Sequence, residues 1–327
     1  MTRSRRPFEV PGDRDISAPA DVGQRLDPEY ASLLDGFSFE YSAASSLSEL
    51  RVTLPGLGST SAVERTEHRG LLEPEVPLRT HRPRGVDGPL PGVISIHGGG
   101  YVLGSYDMDD LRFESWCPDV GVIGISVDYR LAPECPYPGP LEDCYRAFAW
   151  AYDNAQELGL DRSRMGVYGV SAGGGLAAAL ALLLRDRDEM PLAFQLLEAP
   201  MLDDRQQTPS SNLDGLAVFS KQSNEFCWRA YLGERYGGPD VPYYAAPARA
   251  PNLSGLPPSF ISVGAVDGFR DESIDYGLRL NQAGVATELH VYPGAPHGFQ
   301  MFVDSRVARQ AQRDSDDWLA RVVREPT

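Results

Sequence analysis

The chain has one lysine, Lys221, among 30 basic residues, with only four cysteines and five histidines in 327 residues. The bias toward arginine reflects genomic base composition and identifies no site. Cys117, Cys135, Cys144 and Cys227 form no C-x-x-C and stand at no His-ligand spacing, so they read as reduced thiols of a cytoplasmic protein. No H-E-x-x-H occurs, and no Cys/His cluster, so neither a metal nor a cofactor is expected. Long apolar runs are missing too. The longest, Leu176 to Leu184, is too short to span a bilayer. Arg3, Arg5 and Arg6 are followed by no apolar stretch, which argues against a secretory signal. Positive charge is scarce: the net charge of -16 argues against nucleic acid or an anionic membrane as partner.

What is present suits a folded α/β protein. The hydrophobic fraction of 42% is ample for a core. From Pro91 onward, strand-like and helix-like segments alternate, which predicts a mostly parallel sheet with helices on both faces. Strands are expected over Val93–His97, Val122–Tyr129, Met165–Val170, Phe194–Pro200, Ser259–Val266 and Thr287–Tyr292. Leu141, Cys144, Tyr145, Phe148 and Tyr152 fall on one helical stripe. Tyr276, Leu280 and Ala283 form another before Gly284, and Val307, Ala311, Trp318 and Val322 a third behind Asp304 or Ser305 as cap. Two regions break the alternation. Residues 1–50 read as an N-terminal cap segment that ends in Phe37 to Leu50, ahead of the main domain over 51–327. The stretch around 203–250, with Phe219, Phe226, Trp228, Tyr231, Tyr236, Tyr243 and Tyr244, reads as a lid over the C-terminal sheet edge, where open α/β sheets bind ligands.

Gly169-Val170-Ser171-Ala172-Gly173 fits the G-x-S-x-G nucleophile elbow. An apolar strand enters it and an alanine-rich helix leaves it, the context that the motif requires. A serine nucleophile needs a base, and the base an orienting carboxylate. His297 lies in a loop after the last expected strand, from which it can reach over the sheet edge. His68 and His81 precede the alternating region, His97 belongs to a glycine loop, and His290 shares a strand face with Glu288 and Tyr292. Asp267 directly follows the apolar run Phe260 to Val266 and is favoured as the acid over Asp271, which a structural role at a helix start explains. His97-Gly98-Gly99-Gly100-Tyr101 closes another strand; its glycines free backbone N–H groups to converge on an oxyanion.

Five blocks in this order resemble the bacterial hormone-sensitive-lipase family of carboxylesterases. They are His97–Gly100, Asp128-Tyr129-Arg130-Leu131-Ala132-Pro133-Glu134, Gly169–Gly173, Asp267–Glu272 and His297-Gly298-Phe299. The resemblance, over about residues 90 to 325, implies an α/β-hydrolase fold with a helical cap and cofactor-independent hydrolysis of short-acyl esters. By motif it assigns the oxyanion N–H groups to Gly99, Gly100 and Ala172, with Gly98 shaping the loop.

Three departures stand out. Val170 occupies a position where the family usually has a polar residue, and Phe269 replaces a usual leucine. Glu198 puts a carboxylate into an apolar strand, which calls for a hydrogen-bond partner or a raised pKa. The Asp128–Glu134 segment has two readings, a brace at a strand end or a support for the glycine loop through Arg130 or Glu134. Tyr101, Phe219 and Trp228 are candidate substrate contacts. The expected function is a serine carboxylesterase acting on a small-molecule ester. Acyl transfer, cyclisation or deacetylation by the same acyl-enzyme, and an inactive ligand-binding hydrolase fold, are the alternatives. A homodimer is one assembly that the sequence leaves open.

Overall fold

The computed structural model describes residues 25–34, 47, 51, 62–70 and 72–324. The N-terminal cap segment expected over 1–50, with its stretch Phe37 to Leu50, therefore lies outside the described residues except for 25–34 and Leu47. Within 25–34 a short helix, α1 (Pro28–Leu33), is capped by Asp27. Tyr30 anchors it by a 2.7 Å hydrogen bond to Ser305.

Eight strands form one sheet: β1 (Val63–His68), β2 (Leu78–Pro83), β3 (Leu90–Ile96), β4 (Ile123–Val127), β5 (Leu160–Val170), β6 (Gln195–Glu198), β7 (Ser259–Val266) and β8 (Thr287–Pro296). Their order is β1-β2-β4-β3-β5-β6-β7-β8. β2 runs antiparallel to both of its neighbours, and β4 through β8 pair in parallel with β3 among them. All six expected strands are present. The sheet also starts earlier than the alternation suggested, because His68 and His81 sit on β1 and β2 and belong to it. These strands carry alternating polar residues, Glu64, Arg65, Glu67, Arg79 and His81, and so lack the apolar runs that mark the inner strands. Arg79 and Arg65 both pair with Asp110 at 3.0 Å, which compensates their charge at this edge.

The period-two pattern of the inner strands feeds two cores. Val93, Tyr168, Leu196 and Phe260 face one side, where Phe113, Trp116, Trp318 and Leu319 cover them. Ile94, Val167, Leu197 and Ile261 face the other side. The first layer comes from α2 (Asp110–Val120) and α8 (Arg306–Val322), with Ser305 as the α8 cap, accepting from the Ala308 N–H. The second comes from α3 (Gly139–Asp153), α5 (Ala172–Arg187) and α7 (Arg270–Gln282), with the single turn α4 (Ala155–Leu158) between them. In α5 the run Leu176 to Leu184 is buried on nearly every side, as expected of a helix apolar all round. Its first turn presses against the sheet: a Cβ on Gly173 would stand 2.0 Å from the Ile96 carbonyl oxygen. α6 (Lys221–Leu232) belongs to the 203–250 stretch.

β3 has β4 on one side and β5 on the other, so chain connections leave it in opposite directions. Such a switch point opens a crevice at the C-terminal strand ends. The parallel registers Ile96↔Gly169, Val170↔Glu198 and Val266↔Pro296 bring the ends of β3, β5, β6, β7 and β8 to that one edge.

Candidate active site

Ser171 joins β5 to α5 with φ 56° and ψ -120°, a backbone conformation that L-residues seldom adopt. The strain is held from three sides. The Ser171 N–H donates to the Glu198 carbonyl at 2.8 Å, and its own carbonyl accepts from Gly175 and Met201, each at 3.0 Å. The side chain therefore projects at the strand edge. Its Oγ lies 3.0 Å from His297 Nε2, and His297 Nδ1 lies 2.8 Å from Asp267 Oδ2. Asp267 Oδ1 accepts the Phe269 N–H at 2.8 Å, which fixes the carboxylate plane. All three side chains are buried, with residue exposures of 5%, 7% and 1% for Ser171, His297 and Asp267. Asp271 is elsewhere: it accepts the Ser210 N–H at 2.7 Å and pairs with Arg270.

The glycine loop leans on the elbow. A Cβ on Gly98 would lie 3.5 Å from the Ser171 Cβ and 3.1 Å from the Val170 carbonyl. Gly100 has φ +62°, and a Cβ there would meet Cys227 Sγ at 2.4 Å, so α6 closes over the loop. Burial raises the Cys227 thiol pKa well out of the range in which a thiolate forms. Ala172 opens α5, where a backbone N–H has no partner inside the helix. Beneath the loop, His97 stacks on Tyr129 at 4.2 Å, while the Tyr129 hydroxyl donates to the His97 carbonyl at 3.0 Å. Burial lowers the His97 pKa to about 4, so the ring is neutral, and its Nδ1 contacts the Gly98 carbonyl at 2.8 Å.

Both readings of the Asp128–Glu134 segment hold in part. Arg130 is a brace, forming a fork with Asp143 at 2.7 and 2.8 Å. Glu134 instead holds Arg51, whose guanidinium also donates to the Val102 and Ala132 carbonyls at 2.8 Å, and Ala132 N–H donates to the Tyr101 carbonyl. The end of the glycine loop is thereby tied to this segment. Glu198 has its partners: Arg112 Nη2 reaches both carboxylate oxygens at 3.1 Å, and Tyr168 donates at 3.2 Å.

Of the three candidate substrate contacts, Phe219 stands at the site, its ring 5.4 Å from that of His297 and 5.5 Å from that of Phe269. Tyr101 and Trp228 do not offer a surface. Tyr101 stacks on Tyr231 at 4.0 Å and lies 5.4 Å from Trp228, and both are fully buried, so packing consumes their rings. Sequence reading also passed over Glu272. Burial raises its pKa well above the ordinary carboxyl range, and its Oε1 accepts the N–H groups of Leu202 and Asp203 at 2.7 and 3.2 Å, holding the chain after β6. Its place five residues after Asp267, on the inner face of α7, was the available signal. Among the described residues no group of three His, Cys, Asp or Glu side chains is placed to hold a metal, and no helix is long and apolar enough to cross a membrane.

The α/β-hydrolase fold family matches residues 93–301. The chain is 36% identical over 303 residues to a carboxylesterase, NlhH, of Mycobacterium tuberculosis, covering 88% of this chain and 92% of that one. A solved structure titled bacterial heroin esterase superposes with a TM-score of 0.84 at 38% identity, over 92% of this chain and 99% of that chain. A vibralactone cyclase structure superposes at 0.78 with 25% identity, over 92% and 96% of the two chains. The chain belongs to the α/β-hydrolase fold family, in its hormone-sensitive-lipase-like branch.

Proposed function

We propose that the protein is a carboxylesterase that cleaves short-acyl esters through an acyl-enzyme on Ser171. The observation that carries this is the unbroken hydrogen-bond chain from Ser171 Oγ through His297 to Asp267, at 3.0 and 2.8 Å, beside the glycine loop. His297 Nε2 takes the hydroxyl proton as Oγ bonds to the ester carbonyl carbon. The resulting oxyanion faces the N–H groups of Gly99, Gly100 and Ala172. Collapse of the tetrahedral species breaks the bond to the alcohol, which leaves with the proton from His297. Water then repeats the sequence, freeing the acid and Ser171. Asp267 keeps the Nδ1 proton in place and stabilises the imidazolium.

The 203–250 stretch acts as the lid, with Phe219 and α6 leaving a closed acyl pocket and no open lipid-binding face. The substrate is a small molecule, and the four free thiols fit a cytoplasmic setting. Interception of the same acyl-enzyme by an internal hydroxyl is a second reading, and the likeness to a cyclase favours keeping it in view. The deciding experiment is hydrolysis of p-nitrophenyl esters of rising chain length with a serine-directed organophosphate as inactivator. Activity on acetate to hexanoate esters, abolished by the organophosphate and by Ser171→Ala, is the expected result. Activity that survives both overturns the reading.

A further inference from the structure

After β6 the chain runs buried and without regular structure over 199–204. Backbone N–H groups buried outside a helix or sheet need acceptors of their own. Ala199 donates to the Ser262 carbonyl and Met201 to the Ser171 carbonyl. Leu202 and Asp203 both donate to Glu272 Oε1, at 2.7 and 3.2 Å. One side-chain oxygen thus serves two buried donors. Ala199, at φ 43°, shares with Ser171, at φ 56°, a left-handed backbone that a residue with a side chain keeps only where its surroundings hold it.

Met201 is gripped through both of its peptide groups. Its N–H reaches the Ser171 carbonyl at 3.0 Å. Its carbonyl accepts from the Tyr101 hydroxyl at 3.3 Å, and the N–H of that same planar unit, on Leu202, is the one that donates to Glu272. Packing leaves no slack, because a Cβ on Gly175 would meet the Met201 carbonyl oxygen and lie 2.7 Å from the Tyr101 hydroxyl. A tilt of the Met201–Leu202 peptide is therefore passed to Ser171 and to Tyr101, the residue after Gly100. Glu272 is the third residue of α7 and follows Asp267 by five positions, while Asp267 Oδ1 holds the Phe269 N–H just before that helix. The segment 267–272 thus supplies both the triad acid and the group that steadies the support of the nucleophile. Burial favours the neutral Glu272 carboxyl, with Asp203 and Asp267 adding to this and the two N–H bonds opposing it.

We propose that Glu272 is a positioning residue of the reaction, which acts through the Met201–Leu202 peptide to hold the Ser171 elbow and the end of the glycine loop in place. The proposal rests on the esterase reading above and adds to it a side chain that acts on Ser171 only through the backbone.

The test measures kcat and KM for p-nitrophenyl acetate, the rate at which a serine-directed organophosphate labels Ser171, and Tm, in wild type, Glu272→Leu and Glu272→Gln. Glu272→Leu leaves two buried N–H groups without their acceptor. It should lower kcat about 10- to 100-fold with KM within about twofold, and slow labelling by a similar factor, since both reactions start from Ser171 Oγ. Glu272→Gln keeps an oxygen for both donors and removes no charge from a neutral acid. It should recover kcat to within about threefold and leave the acid limb of kcat/KM where wild type has it. A group needed for folding alone would lower Tm and leave the kcat of the folded protein unchanged. A kcat loss in Glu272→Leu of less than about tenfold, measured well below its Tm, overturns the proposal, as does a Glu272→Gln that recovers none of the loss. An acid limb moved to lower pH in Glu272→Gln would mean that Glu272 acts on His297 by charge, and overturns it too. Should Glu272→Leu not fold, Glu272→Asp decides, its carboxyl one methylene short of the two N–H groups. A kcat lowered about fivefold or more at unchanged KM then supports the proposal, and a smaller change overturns it. Failure of wild type to hydrolyse any ester sinks the esterase reading alone, and the labelling rates then decide for Glu272 by the same tenfold criterion.

Discussion

The side-chain pair Glu198–Arg112 permits a sharp test, because Glu198 touches the nucleophile residue through its backbone carbonyl and not through its carboxylate. Glu198 is 2% exposed at its side chain and Arg112 14%, and the guanidinium lies 5.1 and 5.5 Å from the Trp116 and Tyr168 rings. Burial is the largest single influence and works against the Arg112 charge, but Glu198, Tyr168 and Asp316 together outweigh it and raise the Arg112 pKa. Removing one partner strands the other in the core, which costs roughly 3–5 kcal/mol. Arg112→Met leaves Glu198 with the Tyr168 hydroxyl alone, and Glu198→Leu leaves Arg112 with two aromatic faces and the weaker attraction of Asp316. Each single change should lower Tm by roughly 5–10 °C, at about 2 °C per kcal/mol for a chain of this size. Arg112→Met/Glu198→Leu replaces the pair by apolar groups of similar volume and should recover to within about 1–2 kcal/mol of wild type. The backbone carbonyl of Glu198 that holds the Ser171 N–H survives every one of these changes. The double variant should therefore keep kcat within about threefold, well short of the tenfold that 1.4 kcal/mol at the transition state represents. Urea denaturation, thermal unfolding and p-nitrophenyl acetate turnover read all three variants. Single variants as stable as wild type would refute the burial argument. A stable double variant whose kcat has fallen a hundredfold would instead mean that the Glu198 charge acts on the reaction.

Ser171→Ala, His297→Ala and Asp267→Asn should each cut kcat by roughly 10⁴-fold or more with the fold retained by circular dichroism, Asp267→Asn being the mildest, whereas Asp271→Asn should not; the reverse pattern for the two aspartates would move the acid to Asp271. Gly98→Ala places a methyl 3.1 Å from the Val170 carbonyl at a φ that alanine tolerates, so Tm should hold while kcat falls about 10- to 100-fold from a shifted oxyanion loop. An unchanged kcat would show that the loop gives way freely. Burial, followed by the Arg65 and Arg79 charges, lowers the His81 pKa to about 3, and burial lowers that of His97 to about 4, against an unfolded value of about 6.5. Their stabilisation is complete above pH 6.5 and is lost as pH falls toward the folded values, so His97→Asn should flatten the unfolding free energy between pH 6 and 4 by about 1.4 kcal/mol per pH unit. A slope equal to wild type in urea titrations counts against a neutral buried His97. Chelation by EDTA should leave ester turnover unchanged; a loss restored by added metal would point to a different chemistry.

Local chemistry made much of this protein legible. The elbow at Ser171, the glycine block at 98–100 and the strand-end Asp267 are motifs whose meaning lies in backbone conformation, and neighbouring residues dictate that conformation. The inner parallel strands announced themselves as apolar runs because both of their faces are covered, whereas β8, at the sheet edge, is largely half-buried. β1 and β2 did not: β1 is an edge strand with wet positions at Glu64 and Glu67, and β2 beside it buries Arg79 and His81, whose partners lie across space. Tertiary structure alone brought His297 to Ser171 across 126 positions and gave Glu198 its partner 86 positions away. It also sorted the aromatic residues of the 203–250 stretch. Phe219, Trp228 and Tyr231 look alike in sequence, but only Phe219 turns toward His297, because its φ of 58° reverses the chain just before α6.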